Sequence, residues 1–342
     1  FEARRQRQMC IRDSLYNNFM EDYKKDKIAW CVTDGAAGNI SQVKGLASAM
    51  KLNYQLKTIE LRAPWKYLPP GYLQSIDSTI KNISDFKESI LPDYIITAGR
   101  KSVYLSLLFK SKLKNKVKTI HIQDPKVNSQ LFDHVIAPEH DSINGPNVIK
   151  SVLAINHITD ELLLSETEKF RDKLSFLKKP IVTLIVGGKN NNYIFDKSAV
   201  LNLSKKIDEI LENNLISLVI LFSRRTDLFI KNYIKDRYSN IHTVWTDEIN
   251  NPYLALLSMS SCLICTCDSV SMISEAIYSK KNVYIFRLKS KKKSNRIEMF
   301  NEKLISLGYT KELSINLSFD ESNYKNETIL IAEKILSNNQ SK

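Results

Sequence analysis

The side chains best suited to chemistry follow one short apolar run. The run is Cys262–Thr266, long enough for a strand buried on both faces, and Asp268, Ser269 and Ser271 come directly after it. Apolar residues then recur at helical spacing, so these polar residues lie where a strand passes into a helix. Free backbone N–H groups, the helix dipole and hydroxyl donors at such a helix start can bind a phosphate. Glu275, one turn after Ser271, offers a carboxylate suited to ribose hydroxyls.

The same residues also fit a structural role. Asp268 or Ser269 can cap the helix, and Glu275 can be a solvated surface charge. A cap accounts for one such residue at the start of any helix. On this segment alone, a phosphate site and a capped helix are equally good interpretations.

Two further turns in the second half of the chain carry groups that suit a phosphate. Gly187–Gly188–Lys189 follows the apolar run Ile181–Val186, and Ser223–Arg224–Arg225–Thr226 follows the run Leu215–Phe222. Glycine lets a backbone approach a ligand closely, and arginine offers forked donors to a diphosphate. Because the carboxyl ends of neighbouring parallel strands share one edge of a sheet, we expect the three turns to meet there. We predict a substrate-binding site for a nucleoside diphosphate formed by Gly187, Gly188, Lys189, Ser223, Arg224, Arg225, Thr226, Asp268, Ser269, Val270, Ser271 and Glu275.

The first half of the chain offers candidates for a catalytic base. Glu139 and His140 follow the short apolar run His134–Pro138, and histidine has the better unperturbed pKa for general-base chemistry. Asp34 follows the apolar run that starts at Ile28, directly before a Gly-containing turn. Each has a structural alternative, since His140 can be a satisfied surface residue and Asp34 can hold the turn.

The elements that must position these residues alternate between strands and helices. This alternation predicts an α/β fold with parallel sheets. In the first half we predict strands over 28–33, 54–61, 92–100 (running into a turn), 119–125 and 134–138, the last two each stopped by a proline, with helices over 42–50 and 102–109. In the second half we predict strands over 181–186, 215–222, 241–245, 262–266 and 283–286, with helices over 198–213, 252–259 and 327–337.

The chain is longer than one core usually serves, and the pattern restarts after Pro180. Residues 1–14 have no periodicity and read as the translation of a sequencing adapter, so we leave them out of the fold analysis. We predict an N-terminal acceptor domain over 20–156, a helical linker over 157–179, a C-terminal nucleotide-sugar domain over 180–320, and a C-terminal helix and tail over 321–342.

The composition favours anionic partners. The chain of 342 residues has 50 Lys and Arg against 37 Asp and Glu, for a net charge of +13. Such a balance suits nucleotides, phosphorylated substrates or acidic membrane surfaces. The Lys-rich run from Lys110 to Lys118 fits a solvated loop, whereas the run from Arg287 to Arg296 can flank the ligand edge or meet anionic lipid. Neither run has the interleaved aromatic residues that single-stranded nucleic acid binds, so we predict no nucleic-acid partner.

Several absent patterns narrow the chemistry further. The sequence has neither a G-x-G-x-x-G nor a P-loop motif, and no Asp-x-Asp pair that would hold a metal on a diphosphate. Cys262, Cys265 and Cys267 lack a second ligand pair for zinc and fit buried, reduced thiols. We therefore predict no metal and no cofactor beyond a nucleotide-sugar co-substrate. Tyr193 and Lys197 have the Tyr-x-x-x-Lys spacing of sugar epimerases, which keeps that class open.

The chain resembles a family that includes the plant "elongated mitochondria" fission protein and bacterial proteins found near surface-polysaccharide genes. The matching segments are Thr33–Asp34–Gly35, Gly38–Asn39, Gln42, Ala98–Gly99–Arg100, Ile122–Gln123–Asp124–Pro125, Pro138–Glu139–His140–Asp141, Gly145–Pro146–Asn147, Gly187–Gly188, Ser223–Arg224–Arg225–Thr226, Asn251–Pro252–Tyr253–Leu254–Ala255, Asp268–Ser269–Val270–Ser271–Met272 and Ser274–Glu275–Ala276. The segment around Asp268 also looks like the donor-binding helix of two-domain GT-B transferases, including the one that makes lipid II, in which a Glu holds the ribose. Cys267 departs from the family pattern, which has Gly before this Asp.

The resemblance implies a GT-B-like protein with two Rossmann-like domains facing across a cleft. It implies a metal-independent glycosyltransferase that moves a sugar from a nucleotide-sugar donor to an envelope glycan or lipid-linked acceptor. His140, Glu139 and Asp34 are then the candidate bases. Two alternatives stay open: a non-catalytic GT-B-like binding or scaffold protein, and a nucleoside-diphosphate-sugar epimerase. No apolar run approaches the roughly 18 residues that cross a bilayer. We therefore expect a cytoplasmic protein, with peripheral contact to the inner membrane as a further hypothesis.

Overall fold

A computed structural model of the protein describes residues 27–87, 90–113, 116–292, 296–322, 324 and 326–340. The segment 1–14, interpreted above as an adapter sequence, lies outside the described residues. The chain divides into two compact units. Unit 1 consists of three segments: the chain up to Ile136, Ile143–Ile149, and the residues from Ile335 onward. Unit 2 consists of Ala137–Ser142 and Lys150–Lys334.

Unit 1 is built on a six-stranded sheet whose central strands are buried, whereas its edge strand Asn53–Thr58 is mostly exposed. The strands and helices of the first part of the chain are β1 (Ile28–Thr33), α1 (Ala37–Ala49), β2 (Asn53–Thr58), β3 (Tyr94–Ala98), α2 (Val103–Leu113), β4 (Lys118–Ile122), β5 (His134–Pro138) and β6 (Val148–Ser151), with 3₁₀ turns at Asp77–Thr79, Ile83–Phe86, Arg100–Ser102 and Ser129–Leu131. The strand order is β2-β1-β3-β4-β5-β6, and each of the pairs from β2 to β5 is parallel. Trp30 of β1 packs edge-on against Phe86 and Phe109, with ring centroids 5.9 and 5.5 Å away.

Unit 2 is built on a second parallel sheet. Its elements are α3 (Asp160–Leu174), β7 (Ile181–Val186), β8 (Tyr193–Ile194), α4 (Lys197–Asn213), β9 (Ser217–Phe222), α5 (Leu228–Tyr238), β10 (Thr243–Val244), α6 (Tyr253–Met259), β11 (Cys262–Thr266), α7 (Val270–Tyr278), β12 (Asn282–Phe286), β13 (Lys289–Ser290), α8 (Arg296–Ser306), β14 (Lys311–Glu312) and α9 (Glu327–Gln340), whose last residues belong to unit 1. The strand order is β10-β9-β7-β11-β12-β14, all parallel, and β8 pairs with β13 in a separate antiparallel ribbon. Every residue of β7 and β11 is buried, as continuous apolar runs predict.

Each sheet has a point at which the strand order reverses. In unit 1 the chain moves from β1 outward to β2 and then returns to the other side of β1 with β3. In unit 2 it moves from β7 outward to β9 and β10 and then returns to the other side of β7 with β11. Ligands of open α/β sheets bind outside the carboxyl ends of the strands at this reversal. The exits of β1 and β3, and those of β7 and β11, are therefore the positions where a site is expected.

The predicted α/β class with two Rossmann-like domains is confirmed, and the predicted strands are present with small shifts at their ends. The sequence analysis missed β6, α5, α8 and the two-residue strands β8, β13 and β14. The boundary expected after residue 156 differs from the division of the structure. Residues 137–142 and 150–156, assigned above to the N-terminal domain, group with unit 2. The predicted linker 157–179 contains α3, whose Leu163 and Leu174 are buried in the hydrophobic clusters of unit 2.

Candidate functional site

Two strand exits touch at the reversal point of unit 2. Gly187 follows β7 and lies directly against the carboxylate of Asp268, which follows β11. A methyl group added at Gly187 would come within 2.0 Å of Asp268 Oδ1. The Gly188 N–H donates to Asp268 Oδ2 at 3.0 Å, and the Thr266 hydroxyl donates to Asp268 Oδ1 at 2.6 Å. Glycine at 187 is thus required for the two loops to meet.

Asp268 is buried and connects the loops that follow β7 and β11. Its side chain is 1% exposed, and burial raises the pKa of the carboxyl, against the hydrogen bonds that favour the charged form. The Asp268 carbonyl also accepts from Asn190 Nδ2 at 3.0 Å, and the Gly187 N–H donates to Thr266 Oγ1 at 2.8 Å. The geometry therefore gives Asp268 a role in joining the β7 and β11 loops. Direct ligand contact by its side chain stays a prediction.

The third predicted loop joins the same edge from β9. Gly188 lies against the backbone of Arg225, where an added methyl group would come within 2.1 Å of the carbonyl. The Lys189 N–H donates to the Arg225 carbonyl at 3.1 Å. The buried Thr226 hydroxyl donates to the Gly187 carbonyl at 2.7 Å and lies 3.0 Å from Ser223 Oγ. Ser223 and Thr226 therefore shape the loop from within.

Among the remaining predicted residues of this edge, the three basic side chains face solvent. Lys189, Arg224 and Arg225 are exposed, and within the described parts of the chain their side chains form no ion pair. Ser269 precedes α7 without capping it through its side chain, and the first turn of α7 carries no acidic residue. Ser271 is half-buried, and Val270 packs against the core of unit 2. Three cations and a helix start are thus presented together at one sheet edge.

Glu275 has a defined neighbour that the sequence did not predict. The Tyr253 hydroxyl, at the start of α6, donates to Glu275 Oε2 at 2.9 Å. Burial raises the pKa of Tyr253 well above its ordinary value, and the nearby Glu275 carboxylate adds to the shift. Tyr253 therefore keeps its proton and orients the half-buried Glu275. Its place in the segment Asn251–Ala255, quoted above for the resemblance, was the available signal.

The three candidate bases are not brought together. Asp34 follows β1 of unit 1, where Asn39 Nδ2 donates to its Oδ1 at 2.9 Å. Glu139 and His140 belong to unit 2 rather than to the N-terminal unit. Glu139 pairs with Lys303 of α8 at 3.4 Å, and His140 packs edge-on against Phe300 with ring centroids 6.4 Å apart. Burial lowers the pKa of His140, so its imidazole is neutral and able to accept a proton near pH 7.

The Tyr193–Lys197 pair does not form a catalytic arrangement. Tyr193 lies in β8 with 3% of its surface exposed, and burial raises the pKa of its hydroxyl. Lys197 begins α4 and is exposed. The pattern therefore reflects a core tyrosine beside a helix start. Across the described residues, no group of three His, Cys, Asp or Glu side chains is arranged to hold a metal.

Two arginines of the second Lys-rich run, Arg287 and Arg296, are paired with neighbouring acids. Arg287 donates to Glu302 and Glu312 at 2.8 and 2.7 Å. Arg296 pairs with the buried Asp141 at 2.9 Å. None of the helices within the described ranges is both long and apolar enough to cross a bilayer.

Comparison with solved structures gives the class of fold. The chain is similar to a UDP-GlcNAc 2-epimerase from Neisseria meningitidis solved with UDP-GlcNAc, at TM-score 0.52 and 16% identity, with 92% of each chain covered. It is equally similar, at TM-score 0.52 and 12% identity, to a UDP-GlcNAc 2-epimerase from Methanocaldococcus jannaschii solved with UDP-GlcNAc and UDP, over 91% of this chain and 99% of that one. The protein is therefore an α/β protein of the GT-B type.

Comparison of sequences gives the family. A family model described as "Mitochondrial fission ELM1" matches residues 37–338, and the chain belongs to that family. An uncharacterised protein of Rickettsia prowazekii is 30% identical over 90% of this chain and 97% of its own length. The mitochondrial fission protein ELM1 of Arabidopsis thaliana is 25% identical over 79% of this chain, which spans 63% of that protein's length. The family resemblance stated from the sequence is thus confirmed.

Proposed function

We propose that unit 2 binds a nucleoside-diphosphate sugar at the edge formed by the β7, β9 and β11 loops. We further propose that the protein transfers the sugar to a hydroxyl of an envelope glycan or lipid-linked acceptor. The observation that carries the proposal is the meeting of these three loops at the reversal point of sheet 2, with Lys189, Arg224 and Arg225 exposed beside the start of α7. Two solved structures of the same fold hold UDP-GlcNAc, and one of them also holds UDP, which supports this ligand class.

The proposed roles follow from the charge of each group. The diphosphate lies against the N–H groups at the start of α7, with Arg224, Arg225 and Lys189 around it. Glu275, oriented by Tyr253, accepts hydrogen bonds from the ribose hydroxyls. No Asp-x-Asp pair supplies a metal, so these cations would balance the charge of the leaving diphosphate.

The reaction balances without a further reactant. The acceptor oxygen attacks the anomeric carbon, the bond from that carbon to the diphosphate breaks, and the nucleoside diphosphate leaves. The acceptor proton passes to a base, for which Asp34, Glu139 and His140 are the proposed candidates. Among these, His140 carries a neutral imidazole that can accept a proton, because burial lowers its pKa.

The test is calorimetric titration of the full chain with UDP, GDP, CMP, ADP, their common sugar conjugates and NAD. We expect one nucleoside diphosphate to bind selectively. Arg224→Ala and Glu275→Ala should each weaken it roughly 10- to 100-fold, since hydrogen bonds to charged groups contribute about 1.5–3 kcal/mol. Arg171→Ala and Glu212→Ala remove exposed charges from α3 and α4 and serve as matched controls, with affinity unchanged.

The result also separates the alternatives. Selective diphosphate binding with release of the nucleotide in the presence of acceptor supports the transferase. Conversion of the sugar without release of the nucleotide would identify an epimerase. Binding without either reaction would identify a non-catalytic protein of this family, a function that the name of the Arabidopsis relative keeps open. If no nucleotide binds, the proposal is wrong.

A further inference from the structure

A second polar cluster lies at the reversal point of unit 1. It is formed where β1, β3 and β4 end, at Asp34, Gly99 and Gln123. The strands are neighbours in the order β1-β3-β4, so their exits share one edge of sheet 1. This is the position at which open α/β sheets bind ligands. The cluster is distinct from the proposed nucleotide site, because all of its residues belong to unit 1.

The cluster is a chain of side-chain hydrogen bonds. Gln123 Nε2 donates to Asn39 Oδ1 at 3.0 Å and to Gln42 Oε1 at 3.1 Å. Asn39 Nδ2 in turn donates to Asp34 Oδ1 at 2.9 Å. Gln42 is 8% exposed, whereas Asp34, Asn39 and Gln123 are half-buried. The arrangement fixes the rotamers of four polar side chains, so their remaining groups point in defined directions.

The backbone is strained to form this cluster. Gln123 has φ +86°, a backbone conformation that residues other than glycine rarely adopt. Gly99 has φ +89°, and a methyl group there would lie 2.5 Å from Asn39 Nδ2 and 3.5 Å from Asp34 Cγ. A glycine at 123 would avoid the strain at that position. The strained glutamine places its amide between Asn39 and Gln42, which a glycine cannot do.

The cluster has hydrogen-bonding capacity to spare. Within the described ranges, no partner is present for Asp34 Oδ2, Gln123 Oε1 or Gln42 Nε2, which leaves two acceptors and one donor group. Arg100, which follows Gly99 in the chain, is held elsewhere, since its guanidinium donates to the carbonyls of Leu68 and Lys66 at 2.6 and 2.8 Å. A carboxylate with neutral amides repels a phosphate and matches the mixed donors and acceptors of sugar hydroxyls.

We propose that Asp34, Asn39, Gln42 and Gln123 form a binding site for the hydroxyl groups of an uncharged saccharide. Gln123 is the specificity-determining residue, because its amide bridges the other side chains at the expense of a strained backbone. The identification of this saccharide as the acceptor rests on the proposed function. The binding itself depends on unit 1 alone. Asp34 Oδ2 then accepts a hydrogen bond from one sugar hydroxyl.

The test is saturation-transfer NMR on the full chain with methyl β-glycosides of glucose, galactose and N-acetylglucosamine, and with glucose 6-phosphate as the charged comparison. We expect transfer to at least one uncharged glycoside and none to the phosphate. Gln123→Ala and Gln123→Gly should both abolish that signal. The Gly variant should melt about 2–4 °C above the Ala variant, because glycine relieves the strain at φ +86°.

Lys51→Gly is the matched control, since Lys51 also has positive φ, at 54°, and lies after α1 outside the cluster. It should keep the glycoside signal. A signal from none of the glycosides with the unmodified protein, or an undiminished signal with both Gln123 variants, would overturn the proposal. Titration of the same samples with the nucleotides of the proposed-function test separates the two hypotheses. Glycoside binding without nucleotide binding refutes only the nucleotide site, and the reverse result refutes only the saccharide site.

Discussion

The contact between Gly187 and Asp268 permits a double-mutant test of how the site is built. Gly187→Ala adds a methyl group at a position whose backbone is not in the left-handed region, so the substitution acts through its neighbours. Its Cβ would lie 2.0 and 2.3 Å from the two carboxylate oxygens of Asp268. That carboxylate is 1% exposed and held by hydrogen bonds, so it cannot swing into solvent.

The cost follows from what must move. Overpacking a core position costs about 1–3 kcal/mol. Displacing Asp268 also breaks its bonds to Gly188 N and Thr266 Oγ1, and each such loss in a buried setting costs about 1–3 kcal/mol. We expect Gly187→Ala to lower the free energy of unfolding of unit 2 by about 3–5 kcal/mol. Asp268→Ala, which loses the same bonds without a clash, should cost about 2–4 kcal/mol.

The informative variant is the double substitution. With Asp268 reduced to alanine, the methyl group of Gly187→Ala has room. The double variant should therefore be about as stable as Asp268→Ala alone, which gives a coupling energy of about −3 to −5 kcal/mol. Guanidinium unfolding followed by far-UV circular dichroism at pH 7 gives the four free energies. Costs that add to within about 0.5 kcal/mol would refute the reasoning, because independent sites behave in that way.

Further predictions concern pH and ion pairs. Burial lowers the pKa of His121 to about 3, so between there and the unfolded value near 6.5 the unfolded chain binds the extra proton. The free energy of unfolding should therefore fall as pH drops from about 6.5, by at most ~1.4 kcal/mol per unit, and His121→Asn should flatten that part of the curve in pH-dependent denaturation. Arg296→Ala leaves the carboxylate of the buried Asp141 without its ion pair and should cost about 1–3 kcal/mol in urea unfolding. Lys303→Ala removes the half-exposed pair with Glu139 and should cost under ~0.5 kcal/mol; equal costs for the two would contradict this explanation.

Much of the fold could be predicted because its strands are continuous apolar runs. Ile181–Val186 and Cys262–Thr266 read as buried strands, and both are buried at every residue. The edge formed by the loops after β7, β9 and β11 followed from the rule that parallel strands share an exit edge. The elements that the sequence analysis missed have weak patterns. β6 has only four residues, and α8 begins within a Lys-rich run that has no apolar periodicity.

The roles of single residues were harder to predict, because they depend on partners distant in sequence. Asp268 stands between a strand and a helix, where a ligand-binding residue is expected, yet its carboxylate accepts hydrogen bonds from Gly188 and Thr266. Arg287 had the context of a membrane-binding cation, yet two glutamates pair with it. The positive φ of Gln123 could not be predicted, because glycine is the residue whose presence in a sequence indicates such a conformation.

The discontinuous membership of unit 2 affects the order in which the chain can fold. Residues 137–142 and 150–156 are synthesised before the sheet of unit 2, yet they belong with elements that extend to residue 334. Leu153 and Ile158 share one hydrophobic cluster with Val182 and Ile264. A fragment that begins at residue 180 would lack these side chains and expose the apolar surface that they cover. During synthesis, the cluster that contains Leu153 can be completed only after Ile264, more than a hundred residues later, has emerged. The core of unit 2 therefore cannot form from residues 180–334 alone. A proteolytic cut near residue 156 would separate Leu153 from the rest of its hydrophobic cluster.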